Sequence, residues 1–146
     1  MLPRFKGGDA KQRQLSVLVV DDDRLSSAVL SDMLSPFRVT FAQSAAGGLG
    51  RLQAGGRFDA VLCDIHMPGM NGMQFYEQVA KVSQQLASRI IFITGGGLSS
   101  EVAAFLERTR NPCLTKPLKS EALFSAVTAA ARLTAGPPMD VENGQP

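Results

Sequence analysis

Several things are scarce in this chain. Two cysteines, Cys63 and Cys113, one histidine, His66, one tyrosine and no tryptophan occur in its 146 residues. Both cysteines sit inside apolar runs, and no Cys or His lies at ligand spacing, which speaks against a disulfide framework and against a thiolate or imidazole metal site. Long hydrophobic runs are missing too. None approaches the ~20 residues that a membrane-spanning helix needs, and the N-terminus has no continuous apolar signal segment. The expected location is therefore the cytoplasm, with no membrane partner. Charge of one sign is also in short supply, the formal net charge being +2. The excess is local, because Arg4, Lys6, Lys11 and Arg13 face Asp9 alone at the N-terminus and leave the remainder close to neutral. Without a clustered basic face, nucleic-acid binding by this domain is not expected.

What is present is the composition of a folded protein, 45% hydrophobic and 19% charged, in a chain long enough for one domain with a real core. Residues 1–14, rich in Gly, Lys, Arg and Gln, lack periodicity and read as a disordered leader. Residues 15–134 read as the domain. Residues 135–146, with Pro, Gly and acids, read as a disordered tail too short for an effector domain.

Within the body, short β-branched runs alternate with helical spacing. Ser16 to Val20, Phe37 to Phe41, Phe58 to Cys63, Ile90 to Ile93 and Pro112 to Thr115 read as five strands, most without polar alternation, as expected of a parallel sheet covered on both faces. Between and after them come five helices. The first is marked by Ala28, Val29, Met33 and Leu34 with Asp23 as its N-cap, and stops near Ser35-Pro36. The second runs from about Ser44 to Leu52, although Gly47, Gly48 and Gly50 each cost about 1 kcal/mol relative to Ala. The third carries Phe75, Tyr76, Val79 and Val82, and the fourth, capped by Ser99 or Ser100, carries Val102, Phe105 and Leu106. The last opens at Ser120, with Glu121 in its first turn, and buries Leu123, Val127 and Ala130. Five such alternations with right-handed crossovers predict an α/β fold, a doubly wound five-stranded parallel sheet.

The chemistry-bearing residues all fall where strands end. Asp21 and Asp22 follow the first strand, Asp64 the third, Thr94 the fourth and Lys116 the fifth. Open α/β sheets place their sites at that edge. Three carboxylates brought together repel one another and raise each other's pKa unless a cation neutralises them. An oxygen-only donor set suits a hard ion such as Mg²⁺. A neighbouring Lys ammonium keeps Asp64 ionised and nucleophilic, and the Thr94 hydroxyl and the Gly95-Gly96-Gly97 backbone can receive an anion. The assembled chemistry is attack of Asp64 on phosphorus, giving an aspartyl phosphate.

The segments Val19-Val20-Asp21-Asp22, Cys63-Asp64-Ile65-His66-Met67-Pro68-Gly69-Met70-Asn71-Gly72, Ile93-Thr94-Gly95 and Leu114-Thr115-Lys116-Pro117 stand in an order and spacing that resembles the receiver domains of two-component response regulators, over roughly residues 16 to 133. The resemblance implies the flavodoxin-like (βα)5 receiver architecture with strand order 2-1-3-4-5. It implies Asp64 as phosphoacceptor, and Asp22, Asp64 and the backbone carbonyl of His66 as Mg²⁺ ligands, with Asp21 acting mainly through a bound water. Thr94 would be the switch hydroxyl, Lys116 the phosphate-pairing ammonium, and Lys116-Pro117 a cis peptide. The implied role is signalling rather than turnover: phosphate arrives from a phosphohistidine on a histidine kinase or histidine phosphotransfer domain, the domain catalyses its own phosphorylation and slow dephosphorylation, and a contact with a downstream protein changes. The third residue before the Lys, often aromatic in this family, is Cys113, so a switch that swings a ring is not expected through that position. The loop segments at Thr94 and Asn111 to Pro117 resemble receivers of hybrid histidine kinases.

Two other classes are weighed. A Mg²⁺-dependent phosphatase with an aspartyl intermediate wants a general acid two residues after the nucleophile, where His66 stands. A flavodoxin-like nucleotide or flavin binder wants a phosphate loop after the first strand, where Asp21-Asp22-Asp23 would repel a phosphate.

Overall fold

The computed structural model describes residues 14–135, so the expectations for the leader and for the tail from Gly136 onward fall outside the described residues. Five parallel strands form one sheet: β1 Ser16–Val20, β2 Arg38–Ala42, β3 Ala60–Asp64, β4 Ile90–Thr94 and β5 Cys113–Thr115, in the order β2-β1-β3-β4-β5. That is the 2-1-3-4-5 order. All five residues of β3 and of β4 are buried, whereas the edge strands β2 and β5 are largely half-exposed. Burial on both faces explains why the inner strands read as continuous apolar runs.

Among the described residues, six helices pack on this sheet: α1 Arg24–Met33, α2 Ala45–Gln53, α3 Gly72–Val82, α4 Gln84–Ala87, α5 Ser100–Thr109 and α6 Ser120–Ala135. One face of the sheet presents Val17, Val19, Leu62, Ile91 and Ile93 to Leu30 and Leu34 of the α1 segment and to the Leu123, Val127, Ala130 stripe of α6. The other presents Leu18, Val20, Val61, Cys63, Ile90 and Phe92 to α2, α3, α4 and α5. Each large apolar side chain so enclosed contributes about 1.5–3 kcal/mol relative to exposure. An aromatic group tightens the second face. Phe105 meets Tyr76 and Phe92 edge-on, at 5.4 Å between ring centroids in both cases. Cys113 packs beside this core, two strands from Cys63 by way of Phe92. Two strand spacings of about 4.8 Å hold the thiols too far apart for a disulfide.

The helix starts are set by side chains that the sequence offers at the right places. Asp23, Ser44, Asn71, Ser83 and Ser99 each accept a backbone N–H of their own first turn, and Asn71 with Gln74 closes a capping box. Glycines did not break α2, because one of them is needed: a Cβ at Gly48 would stand 2.9 Å from Val20 Cγ2 and 3.1 Å from the Phe75 ring. Close packing of α2 on the sheet thus offsets the helix-propensity cost.

Several expectations are corrected. Val29 and Val82, taken as apolar markers of helical spacing, are 59% and 85% exposed. The stripe of α1 runs through Leu30 and Leu34 instead, and Val29 is turned off it by one residue's rotation of about 100°. Val82 is the last residue of α3, where Ser83 turns the chain into the short α4 and Ala87 fills the interior. That helix was not foreseen, being one turn long with only Leu86 and Ala87 as apolar residues. Strand ends differ by one or two residues: β2 starts at Arg38, β3 at Ala60 and β5 at Cys113, while β3 and β4 extend to Asp64 and Thr94.

Candidate functional site

Parallel register brings the ends of β1, β3, β4 and β5 to one edge. Val20 pairs with Cys63, Asp64 with Ile93, and Thr94 with Thr115. The residues that follow or close these strands, Asp21, Asp22, Asp64, Thr94 and Lys116, are thereby gathered together. His66 lies exposed beside them, two residues beyond Asp64.

Asp21 is held by the backbone on both sides. Its N–H donates to the Ala42 carbonyl at 3.0 Å and its Oδ1 accepts the Asp23 N–H at 2.9 Å. The second oxygen, Oδ2, is buried with no hydrogen-bond partner, in a residue only 2% exposed. Burial is the main cause that raises the Asp21 pKa above the ordinary carboxylate value, with the nearby Asp64 and Asp22 charges acting the same way, against the Asp23 N–H and Lys116. Asp22 is exposed. Asp64, the last residue of β3, accepts the His66 N–H on Oδ1 at 2.9 Å, leaving Oδ2 turned toward Lys116 Nζ at 3.7 Å.

The position of Asp64 depends on a close approach behind it. Gly72, at the start of α3, donates its N–H to the Ile65 carbonyl at 2.9 Å, and Ile65 N–H donates to the Ile93 carbonyl at 3.0 Å. A Cβ at Gly72 would lie 2.8 Å from both the Asp64 carbonyl oxygen and Ile65 Cα. Only glycine lets the helix start press on the Asp64-Ile65 backbone. Gly69 serves the same turn with a φ of 75°.

On the far side, Thr94 is 1% exposed and its hydroxyl donates to the Gly96 carbonyl at 3.3 Å. Lys116 is anchored by its N–H on the Thr94 carbonyl at 2.9 Å, precedes a cis bond to Pro117, and keeps 31% of its side chain exposed. Its Nζ also lies 3.3 Å from Ser26 Oγ on the first turn of α1. Ser26 was missed from sequence. A serine in a helix start beside Ser27 carries no signal of its own, and only the fold shows which hydroxyl faces the sheet edge.

Asp21, Asp22 and Asp64 each offer an oxygen, all within 4.8 Å of one another. Three carboxylates so close, one of them buried with an orphaned oxygen, form a donor set that fits a hard metal ion. A single ammonium at 3.7 Å does not neutralise them.

A cluster of carboxylates able to hold a metal, set at the carboxyl edge of a 2-1-3-4-5 sheet, points to a class, the receiver-type doubly wound domains. Comparison with known proteins makes this definite: the response regulator receiver domain family matches residues 17–128, and the chain belongs to that family. Among curated relatives, the two-component response regulator ORR6 of Oryza sativa subsp. japonica is 29% identical over 116 residues, covering 77% of this chain and 68% of that protein. The sensor histidine kinase CheAY of Helicobacter pylori is 29% identical over 120 residues, covering 80% of this chain but 15% of that protein. Relatives thus include proteins of which this chain spans only a small part. Among solved structures, the Vibrio cholerae chemotaxis protein CheY4 superposes with a TM-score of 0.70 at 25% identity, covering 81% of this chain and 99% of that one. The chain is a receiver domain, a signalling module of two-component systems. Among the described residues no helix is long and apolar enough to cross a membrane.

Proposed function

We propose that Asp64 is the phosphoacceptor, taking a phosphoryl group from a phosphohistidine on a histidine kinase or histidine phosphotransfer domain. The carrying observation is Oδ2 of Asp64, the oxygen that takes no backbone N–H, facing Lys116 Nζ at 3.7 Å across the acidic cluster. In the step, Oδ2 bonds to phosphorus as the phosphorus–nitrogen bond of the donor breaks, and the electron pair leaves with the imidazole. Asp21, Asp22, Asp64 and the His66 carbonyl would hold Mg²⁺, which when bound supplies charge compensation for the phosphoryl oxygens. Lys116 pairs with the arriving anion, and Thr94 Oγ1, parked on the Gly96 carbonyl, is the hydroxyl free to turn to it. The change in that hydroxyl bond is what a downstream protein would sense.

A protein donor is supported by the surroundings. A groove of about 300 Å³ runs beside Lys116, lined by Leu25, Val29, Met33 and Leu118, and Leu25 and Val29 are exposed. Apolar side chains next to a phosphoryl site suit a helix of a partner protein better than a free phosphate. Intact mass after incubation with Mg²⁺ and a small acyl phosphate tests the acceptor. Wild type should gain one phosphate, and Asp64→Asn should gain none; equal labelling of both would reject Asp64.

A further inference from the structure

We propose that Ser26 is a positioning residue for Lys116, holding its ammonium beside Asp64 without letting the two close into a tight pair; the role rests on the phosphoacceptor reading above. A charged N–H···O contact to a carboxylate normally closes to about 2.7–2.9 Å. Lys116 Nζ instead stands 3.7 Å from Asp64 Oδ2 and 3.3 Å from Ser26 Oγ. The direction of the serine hydroxyl is determined. Its Oγ lies 3.2 Å from Asp23 Oδ2, and a carboxylate can only accept, so the hydroxyl proton points to Asp23 and a lone pair is left for the ammonium. Asp23 is itself fixed by accepting the Leu25 N–H at 3.0 Å as the N-cap of α1. A chain of bonds therefore runs from the first turn of α1 through Asp23 and Ser26 to Lys116.

The arrangement has a chemical consequence. Oδ2 of Asp64 is the oxygen free to attack, and a lysine hydrogen-bonded to it would occupy one of its lone pairs and draw electron density from it. Held at 3.7 Å, the ammonium keeps its donors available for an arriving phosphoryl oxygen. Ser26 suits the task because it is uncharged. A carboxylate there would capture Lys116 outright, and an apolar side chain would release it to Asp64.

The test combines Ser26→Ala and Ser26→Thr with Lys116→Ala, and has two readouts. One is the NMR resonance of the Lys116 ammonium and its adjacent methylene in the unphosphorylated protein without divalent cation. The other is the rate of phosphate gain by intact mass with Mg²⁺ and a small acyl phosphate. Ser26→Ala should move the Lys116 resonance and slow labelling by about threefold to tenfold, the scale of one partly exposed hydrogen bond to a charged group. Ser26→Thr should restore both. On the Lys116→Ala background, Ser26→Ala should change the rate no further. An unmoved resonance, a wild-type rate in Ser26→Ala, or an undiminished loss on the Lys116→Ala background overturns the role. A wild-type chain that takes no phosphate overturns it together with the phosphoacceptor reading. Failure of Ser26 alone looks different: wild type labels, and Ser26→Ala labels as fast.

Discussion

Replacing Gly72 with alanine adds one methyl group directly behind the proposed acceptor. The added Cβ would stand 2.8 Å from the Asp64 carbonyl oxygen and 2.8 Å from Ile65 Cα. Both are backbone atoms. No side-chain rotation relieves the contact, so either the start of α3 or the Asp64-Ile65 segment must shift. The segment is tied by Ile65 N–H to Ile93 and by Gly72 N–H to Ile65, so a shift weakens at least one of these bonds. Overpacking of this kind costs about 1–3 kcal/mol, with backbone clashes at the upper end. Alanine returns up to about 1 kcal/mol through helix propensity. The expected net loss is about 1–2 kcal/mol, a fall of roughly 0.5–1 M in the urea midpoint at a typical slope for a domain of this size. The same substitution displaces Asp64, so the rate of phosphate gain should drop well below the unfolding transition, where the variant is still folded. An unchanged or higher midpoint together with wild-type labelling would refute the reasoning, because it would mean that the helix start does not press on the acceptor.

Three glycines in α2 allow a sharper contrast within one helix. At Gly50 a Cβ meets nothing within 4 Å, so Gly50→Ala should stabilise by about 1 kcal/mol and raise the melting temperature by roughly 4 °C. Gly48→Ala drives the Cβ into Val20 and Phe75 and should destabilise in the same melts; a gain at both positions would deny the tight seat of α2. The buried Asp21 has a raised pKa in the folded state, so it contributes stability that is present below the unfolded carboxylate value of about 3.9 and is lost as pH rises through the folded value. Asp21→Asn, which keeps an acceptor for the Asp23 N–H, should therefore melt above wild type at pH 7 in chelator, with the difference shrinking toward acid. It should also gain less from added Mg²⁺. A variant that melts lower than wild type at pH 7 would contradict the sign.

The sheet was legible because its inner strands are buried on both faces and interrupted by turn residues, so Val17-Leu18-Val19-Val20 and Ile90-Ile91-Phe92-Ile93 admit few other readings. The helix faces were less so. Val29 and Leu30 are equally apolar neighbours, and nothing in a ten-residue helix of mixed Ser, Asp and aliphatics says which of the two points inward. The exposed one lines the groove at Lys116 instead of the core. The same logic applies to Val82, apolar by type and exposed because the chain turns into a helix of one turn.

The gathered side chains divide in the same way. Asp21, Asp22, Asp64, Thr94 and Lys116 could be found because each closes or follows a strand, and parallel strands deliver their ends to one edge whatever the details of packing. Ser26 reaches that edge from a helix, through a hydroxyl whose direction is set by Asp23, and such a role exists only in three dimensions. Cys113 shows the converse. Its position could be counted from Lys116, but what fills the place of a ring could not. The fold sets Cys113 beside Phe92 in the sheet, on the same core as the Phe92, Phe105 and Tyr76 group, which ties β4, α5 and α3 together. A phosphoryl group that drew Thr94 away from Gly96 would pull on β4, two residues beyond Phe92, and so act on α5 through Phe105 without any motion of residue 113.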